Sequence, residues 1–280
     1  MAENTLSLTI LSDNNAACGC MAEHGFSLLM ETQESTILFD TGKENSLLLN
    51  AAELGVDLSR IKQLVLSHGH YDHTGCIAEL LKLAPDASVY LHPAAFQERY
   101  SIRGGIPKPV HMPEPALIAL NSLPAQQLNL VEQPSVLSFS AAVTGPVPRR
   151  TSYEDTGGPF YLDPEGTVPD PIDDDLSIWF ETHEGLVLVA GCCHAGIVNT
   201  LRYVTELTGT GRIAALIGGF HLSAASPERL RQTADELNTF DIGRVVPCHC
   251  TGEAAATYFR RNLHCHVEPG YAGMRLEFPL

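Results

Sequence analysis

The stretch SHGHYDHTG, residues 67 to 75, follows directly on the apolar run QLVL at 63 to 66. His68, His70, Asp72 and His73 place three imidazoles and a carboxylate within six residues. A loop at the end of a strand can turn such side chains toward two neighbouring cations, because imidazole and carboxylate both suit zinc, iron and manganese. The plain alternative is a set of solvated histidines. Four such ligands in H-x-H-x-D-H order argue against it.

Working outward, the chain has 280 residues, 44% of them hydrophobic, enough to bury a substantial core. It carries no apolar run of membrane-spanning length, and its first residues lack the basic-then-apolar pattern of a signal peptide. The expectation is a cytoplasmic protein without a membrane partner. Eight cysteines occur without any C-x-x-C pair, so neither a zinc ribbon nor a disulfide framework is expected. The formal charge of −16, from 17 Lys plus Arg against 33 Asp plus Glu, repels a polyanion over most of the surface. Long nucleic acid is therefore not the expected partner, and a small-molecule substrate is. Oligomeric state is left open.

Short β-favouring runs alternate with helical patterns. Strands are expected at Leu6 to Leu11, Phe26 to Met30, Thr36 to Phe39, Gln63 to Leu66, Ser88 to Leu91, Leu128 to Val131 and Val136 to Val143. Further strands are expected at Leu176 to Thr182, Leu186 to Ala190, Arg212 to Ile217, Arg244 to Val246 and Met274 to Phe278. Helices fit Ser46 to Leu54, Cys76 to Leu83, Ile197 to Leu207, Pro227 to Asn238 and Glu253 to Arg261, with Ser226 as an N-cap. A mainly β front half and a back half that mixes strands with helices suit an α/β fold of α+β type. Two sheets would pack face to face with helices outside, in four αββα layers and one domain over 1–280. Residues 101–125 and 144–175 are rich in Pro and Gly and read as long loops that cover a site.

LFDTG at 38 to 42 and VLSHGHYDHTG at 65 to 75 resemble the signature of the metallo-β-lactamase superfamily, whose αββα sandwich agrees with the strand order. The resemblance implies that His68 and His70 hold one metal ion and Asp72 and His73 a second, with Asp40 as a carboxylate behind the ligands. It extends through EHGFSLLME, GCCHAGIVNT, GGFHL and PCHCTGE to the branch named for a dihydropterin-ribofuranosylaminobenzene-phosphate synthase. That branch commonly has GCSHAG and DHTGG where this chain has GCCHAG and DHTGC, so the family says nothing of Cys193 and Cys76.

By the same resemblance His249, after RVVP, goes to the second metal. The superfamily's mid-chain P-G-H-T histidine is absent from VTGPVPRRTSYED, and His194 takes its place beside His68 and His70. Cys192 stands where relatives keep a bridging aspartate. Whether its thiolate reaches a metal is open, since bridging usually falls to oxygen. His221 is expected to serve substrate or proton transfer, with a locally satisfied core histidine as the rival reading. His24 is a weaker case of the same kind. Among Lys43, Arg103, Lys108, Arg149 and Arg150, Arg149 is the leading candidate to bind a substrate anion.

These readings predict a hydrolase with two divalent ions, zinc first and iron or manganese as alternatives. Hydroxide generated at the metals would attack a small, phosphorylated or pterin-like substrate, and Asp72 would orient the attack. Phosphoesterase and lactonase types are not separated. Condensation or lyase chemistry like that of the synthase branch is the alternative. Two rivals remain: a cysteine nucleophile at Cys192 or Cys193, and a sensor that binds metal without turnover.

Overall fold

A computed structural model describes residues 4–138 and 140–280. In chain order the first strands are β1 (Thr5–Ser12), β2 (Ser27–Glu31), β3 (Thr36–Phe39), β4 (Gln63–Val65), β5 (Ser88–Leu91), β6 (Tyr100–Arg103), β7 (Ile106–Pro109) and β8 (Leu128–Leu130). They are followed by β9 (Ser135–Val136), β10 (Ala141–Val143), β11 (Phe160–Tyr161), β12 (Ser177–Thr182), β13 (Gly185–Ala190), β14 (Arg212–Gly218), β15 (Asp241–Pro247), β16 (His266–Val267) and β17 (Arg275–Pro279). The helices are α1 (Ser46–Glu53), α2 (Tyr71–Thr74), α3 (Ile77–Leu83), α4 (Glu114–Asn121), α5 (Ile197–Thr208), α6 (Pro227–Leu237) and α7 (Glu253–Asn262). One seven-stranded sheet has the order β17-β1-β2-β3-β4-β5-β8 and a second β16-β15-β14-β13-β12-β10-β9. A small third sheet has the order β11-β6-β7.

Side chains that alternate along a strand divide each sheet between two cores. Leu28, Met30, Ile37 and Phe39 of the first sheet meet Ile178, Phe180, Val187 and Val189 of the second in a central cluster. Their neighbours Leu29 and Leu38 face the other way, onto α1, α3 and α4. Leu186, Leu188 and Leu216 likewise face α5, α6 and α7. Because both faces of each sheet are covered, runs such as LVLVA carry no polar alternation. The order of layers is helix, sheet, sheet, helix, as the sequence predicts.

One run of strands in each sheet is parallel: β3, β4, β5 and β8 in the first, β13, β14, β15 and β16 in the second. Their carboxyl ends open toward shared loops, the place where α/β sheets carry ligand sites. Ser226 caps α6 as expected, its side chain accepting from the Arg229 N–H. Among the described residues no helix is long and apolar enough to cross a membrane.

Three expectations need correction. Residues 101–125 are not a long loop, because β6 and β7 form a hairpin and α4 follows it. Pro113 and Pro115 disguise α4, yet they sit where a proline N–H is not missed, and Ala116 and Leu120 still anchor one face in the core. The strand expected over Val136 to Val143 is two short strands, β9 and β10, paired antiparallel, and residue 139 of that stretch lies outside the described residues. Residues 144–175 are largely irregular, as expected, but they contribute β11 to the edge of the β6–β7 hairpin.

Candidate metal centre

Five strand ends supply the site. Asp40 follows β3, the Ser67 to His73 loop follows β4, Cys192 to His194 follow β13, His221 follows β14, and His249 and Cys250 follow β15. Four of these residues hold positive φ without being glycine: Asp40 at 61°, Cys193 at 55°, His221 at 45° and His249 at 44°. Each such residue costs on the order of 1–3 kcal/mol and persists only where its surroundings over-determine it. Here the abrupt turns bring Asp40, His221 and His249 to the site, whereas Cys193 turns away from it.

His68, His70 and His194 form one group. His68 Nε2 lies 2.9 Å from His70 Nδ1, and the His194 ring stands 4.8 Å from that of His68 and 5.0 Å from that of His70. His73, Asp72 and His249 form a second group. Asp72 Oδ2 is 3.4 Å from His249 Nε2, and the His73 and His249 rings are 5.1 Å apart. Cys192 lies between the groups, its Sγ 3.1 Å from His73 Nε2 and within 4.8 Å of donor atoms of both His68 and His194. His24, half-exposed, brings Nε2 to 3.0 Å from Asp72 Oδ2.

The ring nitrogens that face away from the centre are held. His68 Nδ1 meets Ser67 Oγ at 2.8 Å, His73 Nδ1 meets Asp40 Oδ2 at 2.7 Å, His194 Nδ1 meets the Thr156 carbonyl at 2.7 Å, and His249 Nδ1 meets Asn14 Oδ1 at 2.8 Å. Such outer acceptors fix tautomer and ring orientation in metal sites. On the inner side, His70 Nε2 and His194 Nε2 are buried with no hydrogen-bond partner, and His249 Nε2 meets only the Asp72 carboxylate, at 3.4 Å. Buried polar atoms are rarely left so, and here the lone pairs converge on one space. This donor set fits divalent cations.

Electrostatics agree for the first group. Burial, reinforced by the neighbouring histidines, holds His68 and His194 well below the usual histidine range. Burial and then the Arg99 charge do the same for His70. All three rings are neutral at pH 7, as cation binding requires. For His73 burial also works against the charged form, but Asp40 outweighs it and the ring is pushed up to about 9. Burial opposes ionisation of Asp72, yet hydrogen bonds from His24 and His249 leave it well below the carboxylate range.

Several supporting residues have no sequence signal. Arg99 is fully buried, bonds Asp174 at 2.9 Å and Asp170 at 3.2 Å, and Asp174 in turn accepts the Gly69 N–H at 2.7 Å, inside the H-x-H turn. Asn14 and Cys250 were equally silent, one in a loop and one in a short turn. Cys193 faces away from the centre into the core behind β13, its Sγ 3.3 Å from Thr200 Oγ1. It has no histidine to activate it.

A cavity of about 560 Å³ opens onto the cluster, with Tyr71, Arg103, Lys108, Phe160 and Ser223 in its walls. The Phe160 ring packs 5.1 Å from His70 and 5.4 Å from His194, so residues 144–175 contribute to the cavity wall as Arg103 and Lys108 do from the β6–β7 hairpin. His221 also lines the cavity, its ring 4.4 Å from that of His194. Arg149 departs from expectation. It does not line this cavity, and its guanidinium is spent on the carbonyls of His194 and Pro171.

The sequence profile described as the Metallo-beta-lactamase superfamily matches residues 21–249. An uncharacterized protein of Methanocaldococcus jannaschii is 32% identical over 252 residues, 89% of this chain and 92% of that protein. The 7,8-dihydropterin-6-methyl-4-(beta-D-ribofuranosyl)-aminobenzene-5'-phosphate synthase of the same organism is 27% identical over 271 residues, 92% of this chain and 90% of that protein. The crystal structure of Tm1679, described as a metal-dependent hydrolase of the beta-lactamase superfamily, superposes with a TM-score of 0.82 at 30% identity, covering 98% of this chain and 100% of that one.

Proposed function

This chain belongs to the metallo-β-lactamase superfamily, and from that premise we propose that it is a metal-dependent hydrolase of a small anionic substrate bearing a phosphate or a pterin-like ring. The observation that carries the proposal is the convergence of six donors, His68, His70 and His194 with Asp72, His73 and His249, with the inner nitrogens of His70 and His194 buried and unpartnered. Divalent ions held there would supply Lewis acidity and bring the pKa of water near neutrality.

The chain's own residues supply the rest. Asp72, held by His24 and His249, presents a carboxylate that orients the attacking water. Phe160 lines the cleft and packs on His70, an apolar face that would limit bulk water at the centre. Arg103 and Lys108 stand in the cleft wall without an acidic partner among the described residues, in a chain of formal charge −16. They favour an anionic group on the substrate. The relative named as a phosphate-containing synthase supports the same substrate class. A reducing, cytoplasmic compartment fits the eight free thiols.

The test is hydrolysis of a panel of phosphate monoesters, diesters, lactones and pterin conjugates by metal-free and zinc-, iron- and manganese-reloaded protein. His70→Ala should lose bound metal and turnover together. Equal turnover by metal-free protein would overturn the reading. The synthase relative favours one alternative, condensation of a pterin-like and an aromatic substrate. A strict requirement for two organic substrates would select it.

A further inference from the structure

Beside the six donors stands a second set of metal-binding side chains. Cys192, His221 and Cys250 bring one donor atom each within 4.8 Å of one another. The two thiols lie close enough to share a hydrogen bond, and Cys250 Sγ also accepts the His221 backbone N–H at 3.3 Å. His221 Nδ1 is buried with no partner. All three residues border the cleft.

The backbone around them is cut to fit. A Cβ on Gly219 would lie 2.5 Å from Cys250 Sγ, and a Cβ on Gly157 would lie 2.1 Å from the His221 ring. Only glycine leaves room for either side chain. His221 is held there with φ at 45°, a conformation costly for a residue of its shape. Strain, two glycine notches and an orphaned ring nitrogen thus meet at one point.

We propose that Cys192, His221 and Cys250 form a third cation subsite, selective for a thiophilic divalent ion such as zinc or ferrous iron, with Cys192 as a thiolate bridge to the neighbouring pair of sites. It lies outside the six-donor set of the proposed hydrolytic centre and does not depend on hydrolysis being the reaction. Zinc–sulfur bonds of about 2.3 Å and zinc–nitrogen bonds of about 2.0 Å put tetrahedral ligand atoms roughly 3.3–3.8 Å apart, so donors within 4.8 Å of one another need to close by about an ångström or less. Two thiols lose their protons to solvent as the ion binds, so its two charges meet two thiolates. Because all three residues border the cleft, a fourth ligand could reach the ion from there. His221 is thereby assigned to the ion in place of substrate or proton transfer.

The experiment is cadmium loading of metal-free protein, read by cadmium NMR and by equivalents bound. Wild-type protein should show one strongly deshielded resonance from an ion with two sulfur ligands, and should bind one equivalent more than Cys250→Ser. His221→Asn should also lose that equivalent, with its fold intact because asparagine tolerates a left-handed backbone. A fully loaded wild-type spectrum without a two-sulfur resonance would overturn the proposal, whatever the variants do. Unchanged loading of a folded Cys250→Ser protein would overturn it as well. Loss of hydrolysis with the two-sulfur resonance intact would instead sink only the hydrolase reading.

Discussion

Asp40 Oδ2 lies 2.7 Å from His73 Nδ1 with both side chains fully buried, and the same carboxylate accepts the Ser67 N–H and hydroxyl, each at 2.7 Å. One residue at the end of β3 therefore orients an imidazole on one side and the H-x-H turn on the other. Asp40→Asn keeps the shape and removes the charge. Its effect should fall on the ion at His73, with affinity reduced roughly 10–100-fold, the usual range for an outer-shell partner. Chelator-competition titration measures this. An unchanged affinity would reduce Asp40 to a purely structural carboxylate.

The two histidines placed by resemblance separate the two sites. His194 faces His68 and His70, whereas His249 faces Asp72 and His73. His194→Ala should therefore lose the ion of the first group and keep that of the second, and His249→Ala should do the reverse. Anomalous scattering from crystals of each variant shows which position empties. Loss of both ions in either variant would mean that the sites load as one cooperative unit.

Much of this was legible because strand ends and ligand spacing are local. The run LVLVA announces a strand buried on both faces, and H-x-H-x-D-H announces its own geometry. What escaped was non-local. Arg99 in QERY and Asp174 in PIDDD look like solvated charges, and nothing within a few residues says that the chain folds them onto each other 75 positions apart. Cys250 escaped for the same reason, since its partner Cys192 lies 58 positions away. The α4 helix was hidden differently, by prolines that break a helix interior but are tolerated in a first turn.

Arg99 makes a specific stability prediction. Its buried guanidinium faces two carboxylates, Asp170 and Asp174. Removing one side of a buried ion pair strands the other, at a cost of about 3–5 kcal/mol. Arg99→Leu should therefore melt far below wild type and loosen the Gly69 turn that Asp174 holds, whereas substitution of a surface pair such as Arg231 with Asp235 should shift the melt little. Thermal melts of the two variants provide the comparison.

The same cluster sets a pH dependence. Burial pushes Asp170 above the usual carboxylate value of 3.8, although Arg99 pulls the other way. A carboxyl whose folded pKa is raised binds more protons folded than unfolded, so stability falls as pH rises from 3.8 through the folded value. Asp170→Asn cannot ionise and should lack that loss. The melting temperature of wild type minus that of the variant should become more negative across this window and level off above it. A flat difference would mean that Arg99 fully compensates the burial.

Arg149 tests the boundary between support and recognition. Its guanidinium donates to the carbonyls of His194 and Pro171, tying the histidine's turn to the loop that precedes β12. Arg103 and Lys108, in contrast, line the cleft. Arg149→Ala should cost about 1–2 kcal/mol of stability, the scale of charge-assisted bonds at a partly exposed position, and leave KM for an anionic substrate near that of wild type. Arg103→Ala and Lys108→Ala should raise KM with little change in melting temperature, because neither side chain anchors the fold. If Arg149→Ala instead raised KM at constant stability, the guanidinium would have to release its two carbonyls when substrate enters. Substrate-dependent protection of the His194 turn in hydrogen exchange would then record that switch.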